Sequence, residues 1–401
     1  MRMSCCIYRR FLVELYVHIP FCARKCNYCD FLSFAAGEET KKRYIDALIR
    51  ELGSNSKLLD DIDTVFIGGG TPSILSMCET ERLLAALKPF TGHCGEWTVE
   101  CNPGTVDEDK LKLFREYGVN RLSFGLQSAD DKELERIGRI HGYRDFLRSY
   151  ELARKTGFDN INIDVMSGLP GQSIESWEKT LKEVTGLEPE HISAYSLIIE
   201  PGTPFYELYG DQDGNDRVKS CDGKAVIGLP SEEEEREMYH RTLRILRKHG
   251  YDRYEISNYC KPGYECRHNL GYWKGSEYVG IGIGAASYVA HERYRNTADI
   301  DRYIRLAEND DRDGLIAART DTESIGEDES IEEYMILRLR LTEGVDTVEF
   351  KRRFGFELEE RFGDSVRTHI KNGLLSKDGD RLYLTERGMD LANTVMSDFC
   401  I

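Results

Sequence analysis

Cys22, Cys26 and Cys29 fall within eight residues of one another in the stretch YVHIPFCARKCNYCDF, residues 16–31. A C-x3-C-x2-C run offers three thiolates, whereas structural zinc sites use four ligands, usually as two separated pairs. Iron–sulfur clusters take cysteine thiolates at short, irregular spacings. An iron without a protein ligand is open to a small molecule, so the spacing predicts a [4Fe–4S] cluster with one iron free. A single cysteine in an apolar run reads as a small hydrophobe, but this loop carries Arg24, Lys25, Asn27 and Asp30. Cationic neighbours lower a thiol's pKa and favour the ligating thiolate.

Such a loop needs a scaffold, and the chain supplies a regular one. β-rich runs over residues 12–19, 64–67, 97–101, 121–126, 160–165 and 192–198 alternate with helical patterns over 39–52, 78–87, 107–117, 131–137 with 143–156, and 176–185. Helix starts are signalled near Thr105 and Ser173, and stops at Gly118, Gly157 and Gly186. Strands alternating with helices pair in parallel through right-handed crossovers. The expected fold class is therefore α/β, a partial, six-unit parallel β/α barrel, since six units are too few to close an eightfold one.

In this architecture the ligand sits at the carboxyl ends of the strands. Those ends carry polar or glycine residues: Gly68, Gly69, Gly70 and Thr71, then Glu100, Gln127 and Asp164, with Arg139 in the loop–helix region after the fourth strand. Three consecutive glycines let backbone groups approach a ligand closely. Their spacing is not G-x-G-x-x-G, which sets aside a dinucleotide fold.

The 401-residue length suits two or three domains. With 40% apolar and 31% charged residues the composition is that of a soluble globular protein. The net charge of −17 argues against nucleic-acid binding and against an anionic membrane surface. Twelve cysteines show no paired framework, and the short apolar stretch after Arg9 and Arg10 contains Glu14 and runs into the cysteine loop, unlike a secretory signal. No run reaches the roughly 18 apolar residues of a membrane-spanning helix. Reduced thiols in the cytoplasm are expected, with Cys5 and Cys6 as tail residues.

The cysteine motif resembles that of radical S-adenosylmethionine (SAM) enzymes, and the longer string resembles the branch containing oxygen-independent coproporphyrinogen III oxidases and the heme chaperones of the HemW type. The likeness covers nearly the whole chain and is strongest over residues 15–31, 65–73, 123–127, 164–172 and 254–287. It implies that Gly69, Gly70 and Thr71 hold the methionine part of SAM. Glu100, Gln127, Arg139 and Asp164 are assigned to the rest of it, which suits carboxylates facing hydroxyls and cations and an Arg facing a carboxylate. Tyr16 and Tyr28 match positions flanking cofactor and cluster. His18 stays open between a hydrogen-bonded structural histidine and a catalytic one. The resemblance also implies that the open iron chelates SAM and that an electron from the cluster cleaves its sulfonium C–S bond to a 5′-deoxyadenosyl radical.

Beyond the barrel, residues 211–229 read as an exposed polar excursion in which Cys221 is incidental. Ser231 and the acidic run after it start an amphipathic helix to Lys248, its charges a solvated face. His268-Asn269-Leu270-Gly271-Tyr272-Trp273 resembles the family's HN-x-x-YW segment, which implies heme contacts for His268, Asn269, Tyr272 and Trp273. From residue types alone His268 is equally a buried, packed histidine, and Cys266 is an outside candidate for heme ligation. Residues 279–287 read as a close-approach glycine segment beside the barrel mouth. From about residue 330, helical runs over 331–341, 347–354 and 357–371 precede a hairpin signalled by Asp378-Gly379. This winged-helix-like pattern reads as a structural or partner-contact module. The expected division is 1–210, 211–325 and 326–401.

Two functions compete. One is a HemW-type chaperone that binds heme and hands it to acceptor apo-proteins; the other is decarboxylation of coproporphyrinogen III. The oxidases carry a fourth cysteine two residues after the third, where this chain has Phe31, and a longer arm than the 15 residues preceding Tyr16. Both features favour the chaperone. No residue is assigned a catalytic role, an electron donor for the cluster is implied, and radical chemistry on another substrate stays open. Replacing Cys22, Cys26 or Cys29 by Ala is expected to abolish visible iron–sulfur absorbance and bound iron while the circular dichroism spectrum is kept; iron retained in those variants contradicts the ligand assignment.

Overall fold

A computed structural model describes residues 13–210, 227–309 and 316–400; nearly all of the excursion expected at 211–229, with Cys221, and also Cys5 and Cys6, lie outside the described residues. Six strands, β1 (Val13–Ile19), β2 (Ile62–Gly69), β3 (Glu96–Cys101), β4 (Arg121–Gln127), β5 (Ile161–Ser167) and β6 (His191–Ser196), pair in parallel in chain order. The crossovers are α1 (Glu38–Ser54), α2 (Met77–Leu87), α3 (Glu108–Tyr117), α4 (Asp131–Arg136) with α5 (Tyr143–Lys155), and α6 (Ile174–Gly186). These are the six units read from the sequence.

Helix ends follow local chemistry. Ser173 caps α6 by accepting the Ser176 N–H at 3.2 Å, and Gly118 ends α3 in a left-handed conformation at φ +106°. Thr105 does not start α3: Asp107 is its cap, accepting the Lys110 N–H, while Thr105 bonds Asn102 and Ser73. Gly186 is the last residue inside α6 rather than its stop.

Residues 279–287 are a close-approach glycine segment lining the large cavity, as read, and they also contain strands that the reading did not include. They form the end of a seventh parallel strand, β9 (Glu277–Ile281), paired with β1, and the start of β10 (Ala286–Val289). Gly280 hid the strand, yet a Cβ there would stand 2.2 Å from the Ala286 carbonyl, so the close turn into β10 demands it. Antiparallel β11 (Glu292–Asn296) and β12 (Arg319–Ser324) extend this side. After α7 (Pro204–Tyr209) and α8 (Glu232–Lys248), β7 (Asp252–Arg253) and β8 (Asn258–Cys260) extend the other, giving the order β12-β11-β10-β9-β1-β2-β3-β4-β5-β6-β8-β7. Between β8 and β9 the chain crosses as a short helix, α9 (Arg267–Trp273).

A second apolar core, running from Ile331 to Phe399, joins the C-terminal helices Glu327–Leu339, Thr347–Phe354 and Leu358–Lys371. The hairpin there turns at Gly379, φ +55°, between Leu375–Asp378 and Arg381–Leu384, and Val345–Asp346 adds a third strand. Two short helices follow, Glu386–Asp390 and Ala392–Ser397, which the sequence pattern did not mark. Among the described residues no helix is long and apolar enough to cross a membrane.

Besides the pairing of β9 with β1, one buried carboxylate ties the added strands to the barrel. Glu51 of α1 accepts the Gly282 N–H at 2.8 Å, the Asn296 amide at 2.7 Å and the Tyr303 hydroxyl. Removing an acceptor strands its buried donors, at about 1–3 kcal/mol each. Glu51→Ala is therefore expected to lower stability by about 3 kcal/mol in denaturant unfolding; a change under about 0.5 kcal/mol, the size of an ordinary surface substitution, contradicts this role.

Candidate cofactor and ligand site

The chain leaving β1 is bonded to the chain leaving β2. Gly70 N–H donates to the Ile19 carbonyl and Thr71 N–H to the Phe21 carbonyl, both at 2.8 Å. A Cβ on Gly70 would lie 2.8 and 3.0 Å from those two carbonyls, so no side chain fits. The far side of the cysteine loop is pinned to the segment after β4. Asn27 N–H bonds the Ile137 carbonyl at 3.0 Å, its side chain bonds the Arg136 carbonyl at 2.9 Å, and Arg24 donates to the Gly138 carbonyl at 2.7 Å. The three thiols thus face the carboxyl ends of the strands from one held loop.

Below them lies a pocket of about 130 Å³ lined by Cys22, Cys26, Cys29, Tyr28, Gly69, Gly70, Thr71, Glu100, Gln127, Arg139 and Asp164. The structure brings together every residue read as a cluster or SAM ligand. Arg139 donates to Asn102 at 2.7 Å, to the Gly125 carbonyl at 2.5 Å and to Cys26 Sγ at 3.6 Å. Asn102 also donates to Thr71 at 2.6 Å; sequence reading missed it, although it follows Glu100 by two residues. Glu100 accepts the Gly69 N–H at 3.0 Å and is pushed up to about 8, by burial first and then by Asp164. Burial also raises Asp164, which accepts from Asn162 at 2.7 Å and Ser123 at 3.2 Å. Burial raises the Cys29 thiol.

These features fit the implied groups. Two buried atoms, Gln127 Oε1 and Arg139 Nε, have no hydrogen-bond partner, and buried polar atoms are almost always satisfied. Gln127 is held at φ +73°, rare for a side-chain-bearing residue. Two buried carboxylates beside a guanidinium suit a ligand that is cationic at one point, anionic at another and hydroxylated between them. Among the described residues no group of three or more His, Cys, Asp or Glu is placed to hold a single metal ion; a cluster instead gives each thiolate its own iron.

A larger cavity of about 970 Å³ adjoins this pocket and shares Phe31, Gly69 and Glu100 with it. Its wall is aromatic, with Tyr16, Phe66, Tyr195, Tyr272, Trp273, Tyr278 and Tyr288, and it takes in His268 and Asn269. His18 also lines it and is hydrogen-bonded at both nitrogens, to Tyr16 at 2.9 Å and to the Leu32 carbonyl at 2.9 Å. Because a carbonyl only accepts, Nε2 carries the proton and Nδ1 accepts from Tyr16. The His18 ring fills the space under Gly69, where a Cβ would come within 2.5 Å of it.

α9 presents the His268 segment from inside the barrel. The Glu96 carboxylate of β3 accepts the N–H groups of Arg267 and His268, each at 3.1 Å, satisfying the first donors of the helix. His268 Nδ1 lies 2.6 Å from Thr64 Oγ1, which donates to Glu14, and Nε2 lies 3.1 Å from the Tyr272 hydroxyl. The ring stacks on Phe66 with centroids 5.1 Å apart. Burial and the Arg121 charge push His268 down to about 3, so it is neutral, while burial lifts Glu14 to about 8. Gly271 allows the contact with β1, since a Cβ there would lie 2.1 Å from Glu14. Cys266 is corrected: its thiol is buried against Glu96 at 3.5 Å, outside the cavity lining, and burial pushes it up to about 12.

The description "Radical SAM superfamily" matches residues 16–184, and "HemN C-terminal domain" matches residues 325–391. "Heme chaperone HemW" of Bacillus subtilis (strain 168) is 38% identical over 394 residues, covering 96% of this chain and 98% of the relative. That of Escherichia coli (strain K12) is 34% identical over 396 residues, covering 96% and 98%. "Radical S-adenosyl methionine domain-containing protein 1, mitochondrial" of Danio rerio is 31% identical, covering 94% and 82%. Among solved structures, coproporphyrinogen III oxidase (HemN) from Escherichia coli, a radical SAM enzyme, has a TM-score of 0.81 at 23% identity, covering 97% of this chain and 90% of that one; the likeness is one of fold. Identity at this level along almost the whole chain decides the family: the chain belongs to the HemW family of the radical SAM superfamily.

Proposed function

We propose that this protein is a heme chaperone that binds heme in the 970 Å³ cavity and passes it to acceptor apo-proteins. The observation that carries the reading is an aromatic cavity, bordered by the His268 segment, that shares a wall with the cysteine-loop pocket. Apolar ligands with few polar handles favour such concave, aromatic sites. The names of relatives matched along nearly their full length support the same reading.

In this reading Cys22, Cys26 and Cys29 hold a [4Fe–4S] cluster, and Gly69, Gly70, Thr71, Glu100, Gln127, Arg139 and Asp164 hold SAM. Tyr16 stands in the cavity wall and Tyr28 in the pocket wall. When bound, cluster and SAM supply one-electron chemistry that protein side chains lack. The chain itself orients and neutralises: Arg139 fixes Cys26, and Glu100 and Asp164 face the cation. His268 braces Tyr272 at the cavity wall, and iron ligation by its Nε2 requires the Tyr272 hydroxyl to swing aside. Free described cysteines fit a reducing cytoplasm with an electron donor for the cluster. Residues 326–401 serve as a structural or partner-contact module. Decarboxylation of coproporphyrinogen III is the alternative; Phe31, in place of a fourth loop cysteine, weighs against it.

His268→Ala is expected to weaken heme binding at least tenfold in a Soret titration, and an unchanged band and affinity remove that residue from the site. Glu100 is neutral below about 8 without ligand, and a bound cation favours its ionised form, so SAM affinity is expected to rise with pH up to about 8. Glu100→Gln flattens that profile, and an unaltered profile in the variant contradicts the assignment. Anaerobic incubation with coproporphyrinogen III, SAM and reductant is expected to give no turnover, whereas protoporphyrinogen formed over many cycles overturns the chaperone reading.

A further inference from the structure

Alternate residues of a strand face the same side, and β11 uses this to aim two arginines into the large cavity. Arg293 and Arg295 both line it, while Tyr294 and Asn296 between and beyond them are buried on the other face. The two guanidinium groups differ. Arg293 is bidentate on Glu333, at 2.8 Å for each contact, and reaches Glu323 at 3.2 Å. Arg295 is exposed, and among the described residues it has no ion-pair partner. An unpaired cation in a cavity wall is unusual for a chain with 54 basic and 71 acidic residues.

Among the described residues, the opposite end of the cavity carries carboxyl groups and no cation. There the wall is formed by Glu100, Gly69 and the cysteine loop, including Asp30. β11 lies three strands from β1 in the sheet order, about 14 Å along the sheet at the usual strand spacing. A ligand filling the space between therefore meets a carboxyl-lined end, an aromatic middle and an end where Arg293 is neutralised by Glu333 and Arg295 is left unpaired among the described residues.

We propose that Arg295, the guanidinium of this wall without an ion-pair partner among the described residues, receives a carboxylate of a porphyrin diacid, so that the porphyrin's apolar edge points toward the cysteine loop. Guanidinium groups grip carboxylates through paired N–H donors, whereas the opposite end, lined by Asp30 and Glu100, offers a carboxylate no cation. The inference rests on the heme reading and adds to it the polarity of the bound ligand.

The test compares hemin with hemin dimethyl ester, which keeps the ring and iron and lacks both charges, in absorbance titrations of the full-length protein. Wild type is expected to prefer hemin by about tenfold or more, the scale of charge-assisted hydrogen bonds. Arg295→Ala should abolish most of that preference by weakening hemin alone, and Arg295→Lys should restore part of it. Circular dichroism checks that the variants fold, and unchanged affinity for the ester shows that the cavity is intact. A wild-type preference surviving in Arg295→Ala, or equal binding of both porphyrins by wild type, overturns the proposal while leaving heme binding in place. Failure of wild type to bind either porphyrin overturns the heme reading and this inference with it.

Discussion

Two backbone hydrogen bonds, from Gly70 and Thr71 to the carbonyls of Ile19 and Phe21, hold the organisation of the site. They zip the chain leaving β1 to the chain leaving the neighbouring parallel strand, and so fix where the cysteine loop begins. The glycine run serves this contact as much as any ligand, because a Cβ on Gly70 would strike both carbonyls. The His18 ring under Gly69 and the bonds from Asn27 and Arg24 to the segment after β4 finish the frame. Three thiols on one loop are then presented to the carboxylates and guanidinium at the strand ends.

The same frame explains why two pockets share a wall. Strand alternation sends Glu14, Tyr16 and His18 of β1, Thr64 and Phe66 of β2, and Glu96 and Glu100 of β3 toward the barrel interior. Polar groups placed there must find partners. At the lower level α9 supplies them, the His268 ring to Thr64 and the Arg267 and His268 N–H groups to Glu96. At the upper level Gln127 and Arg139 keep atoms without partners. Glu100 belongs to both cavities, so a charge change at that residue is felt in each.

Much of this was legible in the chain. The cysteine spacing, the alternation of strands with helices, and the polar residues at strand ends are local patterns, and the structure brings those residues into one pocket. The Asp378-Gly379 turn was equally local. What stayed hidden depends on contacts distant in sequence. β9 was masked because Gly280, required by the approach of Ala286, breaks the β-rich signal. Glu96 looked like any acidic residue before a strand, and its role at the start of α9 exists only after residues 171 and 172 positions away return to it. Arg293 and Arg295 carry no motif, and their shared direction follows from β11 pairing, which the sequence reading did not include. His268 was singled out by the resemblance of its segment to HN-x-x-YW, which did not reveal that both its nitrogens are engaged.

The most direct test of the central claim is electron paramagnetic resonance of the anaerobically reconstituted, reduced protein, recorded before and after addition of SAM. Three loop thiolates holding a cluster whose remaining iron meets the neighbouring pocket predict a [4Fe–4S]⁺ signal whose g values shift when SAM is added. A protein that carries zinc instead, or a cluster signal that SAM leaves unaltered, contradicts the account.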